Sequence, residues 1–129
     1  MRKLLMLLTF VAISTISYAQ SFYKVERSAY LKYEDGEWIE KKKLYPTQMY
    51  IIIEDGKITI TNQNNSVYMT IGDYEKSTHQ YHTTHTWKAI YKDGDYCTIM
   101  LKQSKSSGAY SLSVYYFESL LGFEYNLEQ

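Results

Sequence analysis

The chain has 129 residues, with 14 lysines and arginines against 14 aspartates and glutamates, so its formal charge is zero at neutral pH. That balance argues against a nucleic-acid partner, which calls for a clustered basic face. A single cysteine excludes an internal disulfide, so burial and backbone pairing must hold the fold.

In chain order, the first element is a targeting segment. Arg2 and Lys3 form a short positive region, and Leu4 to Ile13 is an apolar run too short to span a bilayer well. Ser17-Tyr18-Ala19 supplies the small-x-small pattern that a signal peptidase accepts. Residues 1–19 therefore read as a signal peptide cut after Ala19, with an uncleaved anchor as the alternative, and residues 20–129 as one domain. The expected location is exported: periplasmic, cell-surface or extracellular. Without residues 1–19, basic residues fall from 14 to 12 and tyrosines from 15 to 14, and the formal charge becomes −2. No later stretch is long and apolar enough for a membrane helix, so a membrane-spanning protein is not expected.

The remainder alternates with period two. Candidate strands lie near 23–33, 37–44, 47–54, 57–62, 66–71, 85–92, 95–102, 109–116 and 122–128, with one helical turn around Phe117–Leu121. "AYSLSVYY" places Tyr110, Leu112, Val114 and Tyr116 on one face, and "SVYMTI" does the same for Val67, Met69 and Ile71. "PTQ", "NQNN" and "QSKSSG" separate the runs with turn chemistry.

Three hairpin signals share one phrase, "YEDGEW", "IEDGKI" and "YKDGDY". Gly takes positive φ without steric cost and Asp tolerates turn conformations, so the phrase specifies chain reversal rather than chemistry. At the third, the apolar pattern arbitrates between turn types, because a one-residue slip exchanges faces. A bulged turn sets Tyr91 opposite Asp95 and puts Trp87, Ala89 and Tyr91 on one face with Cys97, Ile99 and Leu101. The fold expected is all-β: a single antiparallel meander of eight or nine strands, closing into a small up-and-down barrel in preference to a sandwich. That pattern looks generically like the calycin type of barrel, with no residue motif to carry functional residues across. With so many tyrosines, the interior is not expected to be mainly aliphatic. Lys41-Lys42-Lys43 reads as the solvated side or edge guard of a strand, and Cys97 as a buried small hydrophobe.

Two constellations bear on function. His79, His82 and His85 fall within "STHQYHTTHTW", the first two in a stretch at 72–84 without a confident element and the third at the start of the candidate strand 85–92. Imidazoles converging in a loop there, with Asp73 and Glu75 nearby, would suit a divalent transition metal; on a strand His82 faces away from the other two. The aromatic side chains, with Tyr30, Tyr33, Trp38, Tyr74 and Tyr81 as candidates, offer stiff amphipathic area for a protein or glycan partner. G-x-S-x-G, H-E-x-x-H, C-x-x-C and a Gly-rich phosphate loop are all missing from the sequence, which gives no basis for an enzyme. The leading expectation is an exported binding domain. Its rivals are a carrier holding a small hydrophobic ligand in the barrel and a metal or enzymatic site at the histidines.

Overall fold

A computed structural model of the chain describes residues 20–62, 64–91 and 94–128. Nine strands follow in order: β1 (Ser21–Glu34), β2 (Glu37–Leu44), β3 (Tyr50–Glu54), β4 (Lys57–Thr61), β5 (Ser66–Thr78), β6 (His82–Tyr91), β7 (Tyr96–Ser104), β8 (Tyr110–Tyr116) and β9 (Leu121–Leu127). They form one antiparallel sheet, ordered β2-β1-β3-β4-β5-β6-β7-β8-β9, which closes on itself through β1 and β9. Eight strands make the barrel, and β2 is an extra strand on β1.

Closure depends on the length of β1. Ser21–Lys24 pair with β3, and Ser28–Glu34 pair with β2 along the same edge. Val25–Lys32 give the opposite edge to β9, with a register shift between Val25 and Arg27. At the shift, the Val25 amide donates to Met49 O at 2.9 Å and the Glu128 amide to Lys24 O at 2.9 Å, so the backbone stays bonded where partners change.

The Asp-Gly phrases are all turns, but of different kinds. Asp35 and Gly36 both have positive φ, 51° and 84°, the mirror-image turn whose twist matches its strands, and Tyr33 faces Trp38. At the second, Glu54 faces Lys57 and only Gly56 is left-handed. At the third, the Tyr91 amide donates to Asp95 O at 2.9 Å and Ala89 pairs with Cys97, which is the bulged register expected from the apolar pattern. Lys92 and Asp93 of that turn lie outside the described residues.

The core corrects one expectation. The largest fully buried side chains are Ile51, Ile58, Ile99, Leu112, Val25 and Val114, so the barrel centre is aliphatic. An eight-stranded interior is just wide enough for side chains to fill, and here branched aliphatics fill it together with the buried Tyr68 and Tyr125. Cys97 is buried among them, its thiol donating to Ala89 O at 3.7 Å; burial, and then the charge of Asp95, push the thiol up to about 11.

Two further expectations change. The stretch at 72–84 is no loop. β5 runs through Thr78 and β6 begins at His82, joined by a turn in which the His79 amide donates to His82 O at 2.8 Å. At a register shift between Ile71 and Glu75, Gly72, Asp73 and Tyr74 stand opposite Trp87 alone, and Ser77 and Thr78 then face Thr84 and Thr83. The segment from Gly72 to Thr78 is exposed throughout, so no in-out alternation marked it as a strand. Residues 117–120 form a four-residue connection rather than a helical turn, with Leu120 at φ 58°. Lys41, Lys42 and Lys43 sit on β2, which has β1 as its one partner among the described residues. Lys41 reaches Glu34 at 2.9 Å and Lys43 reaches Glu40 at 3.6 Å, as an edge guard would.

Outside the barrel, Trp38 lies across Gly122. A Cβ at Gly122 would stand 3.1 Å from Tyr115 Cδ1, 3.2 Å from Trp38 Cζ3 and 3.3 Å from Val114 O, so an added methyl would press on both rings and on the backbone. Gly122→Ala is expected to cost about 1–3 kcal/mol by overpacking, and Leu112→Ala about 2–5 kcal/mol by cavity formation. Urea unfolding monitored by tryptophan fluorescence checks both; a change below about 0.5 kcal/mol in either would contradict the packing described.

Candidate functional site

One end of the barrel, where β8 ends and β9 begins, is ringed by aromatic side chains. In-out alternation carries the inward face of β8 from Leu112 and Val114 to Tyr116, and that of β6 from Ala89 to Tyr91. Tyr68 enters from β5, and Phe123 and Tyr125 from β9. Together they line a concavity of about 350 Å3, with Asp95 and Ser119 at its edge. That volume lies within the usual range for a small-molecule site, and barrel mouths are a preferred location for one.

The rings are packed rather than scattered. Tyr68 and Tyr91 have centroids 5.1 Å apart, and Tyr116 meets Phe123 edge-to-face at 6.4 Å and 86°. A hydrogen bond of 2.8 Å joins the Tyr68 and Tyr116 hydroxyls. Burial pushes Tyr116 up to about 12, and burial, then the bond to Tyr116, hold Tyr68 higher still. Tyr125 is also raised, by burial and then by its tyrosine neighbours. All three are neutral hydroxyls under ordinary conditions. A second hollow of about 230 Å3 adjoins the first, sharing Asp95, Tyr116 and Ser119 and adding Tyr96 and Glu118.

The aromatic residues expected from sequence do not form one surface. Tyr30 packs behind the mouth, 5.7 Å from Phe123. Tyr33 and Trp38 belong to the outer cluster, where Trp38 lies 5.2 Å from Tyr33, 4.8 Å from Tyr115 and 6.2 Å from Phe117. Tyr74 lies on the β5–β6 arm against His85 at 5.0 Å and Trp87 at 5.7 Å. Tyr81 is exposed at the tip of that arm.

Nor do the histidines come together. His79 is in the turn, its Nε2 3.4 Å from Ser77 Oγ; His82 opens β6 opposite Ser104; His85 is held between Tyr74 and Trp87. Burial, then the charge of Lys76, lower the His85 imidazole below its usual value. Among the described residues, no group of three or more His, Cys, Asp or Glu is placed to hold a metal ion. His82 and His85 are three residues apart on β6, so the pleat turns them to opposite faces, and His79 stays in the turn opposite His82.

Sequence reasoning missed Tyr68, Tyr91, Tyr116 and Tyr125 as site residues. Their inward parity was legible for Tyr91 and Tyr116, but their meeting at one end depends on strand lengths and tilt. No helix among the described residues is long and apolar enough to cross a membrane. Compared with known proteins, the chain matches no family model, no curated protein and no solved structure.

The raised tyrosines set an alkaline limit. The native state keeps protons that the unfolded chain releases near 10, so their contribution is complete below that pH and lost as pH rises through about 12. Urea midpoints are expected to fall between about pH 9 and about pH 11. Phenolate absorbance should show a tyrosine fraction that ionises only on unfolding; simultaneous titration of every tyrosine near 10 in the folded protein would contradict this.

Proposed function

We propose that the protein is an exported, non-catalytic binding protein that takes a small amphipathic ligand at the tyrosine-lined mouth of its barrel. The observation that carries this reading is the concavity of about 350 Å3 ringed by Tyr68, Tyr91, Tyr116 and Tyr125. The barrel centre below it is filled, so the ligand sits in the mouth and not in a hollow aliphatic interior. Rings supply apolar area, and phenolic and serine hydroxyls supply polar contacts that fix orientation. Export rests on the pattern of residues 1–19, which lie outside the described residues.

A second reading has its own support. Outside the barrel, Phe117 is 57% exposed and Tyr33 37% exposed beside Trp38, an aromatic surface suited to a protein or glycan partner. Substitutions separate the two. Under the first reading, Tyr116→Ala lowers the affinity for a ligand recovered with the protein by about tenfold or more, while Phe117→Ser leaves it unchanged. The reverse pattern would move the site to the outer cluster. Amino-terminal sequencing of the protein from its host is expected to begin at Gln20; recovery from the cytoplasm starting at Met1 would overturn the export reading.

A further inference from the structure

We propose that the mouth selects an organic cation, an ammonium carried on a small apolar or aromatic body. This rests on the reading of the mouth as the ligand site and adds its chemical class. The two adjoining hollows share Asp95, Tyr116 and Ser119, and among the described residues lining either one the only charged side chains are Asp95 and Glu118. Both carboxylates are exposed at the edge. Lys32, which pairs with Leu121 across the β1–β9 ladder, lines neither hollow and lies 4.0 Å from Glu34.

Behind these carboxylates stand the faces and edges of neutral phenol rings. The negative face of an aromatic ring attracts a cation within about 6 Å of its centroid, and the attraction grows as water is removed. Burial keeps Tyr68, Tyr116 and Tyr125 protonated, so the rings do not become phenolates that would replace this weak attraction with fixed charge. A carboxylate or phosphate ligand would meet Asp95 and Glu118, with no cation among the described lining residues to offset them. An uncharged ligand would gain the apolar contacts but leave the acidic edge unused. A cation uses both: its head lies between the carboxylates and the Tyr116 ring, and its body covers Phe123 and Tyr91.

Three probes that share a benzyl group test the assignment by titration of the protein followed by NMR: benzyltrimethylammonium, benzyl alcohol and phenylacetate. The cation is expected to bind about tenfold more tightly than the alcohol, with phenylacetate weakest. Asp95→Asn should weaken the cation about threefold or more without changing the alcohol, and added salt should weaken only the cation. Asp95 is exposed, so this variant should fold; Tyr81→Ala at the arm tip serves as a control that leaves all three affinities unchanged. Equal binding of cation and alcohol, or tightest binding of phenylacetate, would overturn the cation assignment while leaving the mouth as a site. If no probe perturbs the mouth tyrosines and a broad set of neutral ligands also fails, both proposals fall.

Discussion

The pairing of β1 with β9 is the constraint on which the rest of the structure depends. β1 gives one edge to β3 and β2 and the other to β9, so one strand both starts the sheet and closes it. The register shift after Val25 allows this, because it lets the strand twist away from β3 while its amides keep partners. Without that seam the same hairpins would form an open meander, with its apolar face against water on both sides of the gap. With it, the one strand among the described residues that ends the sheet is β2, and β2 carries the lysine run.

Closure also sorts the side chains by size. An eight-stranded interior is just wide enough to be filled by side chains, and Ile51, Ile58, Ile99 and Leu112 fill it with no exposed surface. Tyrosines on the same faces are displaced towards the end, where ring and hydroxyl can be treated differently. The rings of Tyr68 and Tyr125 are buried, while the Tyr68 hydroxyl is satisfied by Tyr116 at 2.8 Å. The mouth is therefore built from the same alternation that builds the core, continued two residues further along β6 and β8.

Much of this was legible in the sequence, and the parts that were not share a cause. Period-two alternation and three Asp-Gly reversals suffice for nine strands, and the apolar pattern alone selected the bulged register that pairs Ala89 with Cys97. Alternation is informative only where one face is buried. Gly72–Thr78 is exposed on both faces, so alternation gives it no strand signature, and the loop expected at 72–84 shrinks to the turn at 79–81. The abundance of tyrosine suggested an aromatic interior because composition counts residues and not depth. Tyr30, Tyr33, Trp38, Tyr74 and Tyr81 stood out by crowding and exposure, yet they lie at three separate places. The four mouth tyrosines come from four strands, and only the closed sheet shows that those strands end together.

Nuclear Overhauser contacts across the seam test closure most directly. The account predicts proton contacts between residues paired across β1 and β9, such as Ser28 with Tyr125 and Tyr30 with Phe123, together with slowly exchanging amides along both strands. Loss of those contacts, with Tyr116 and Leu121 still paired across β8 and β9, would mean an open sheet and would remove the mouth with it.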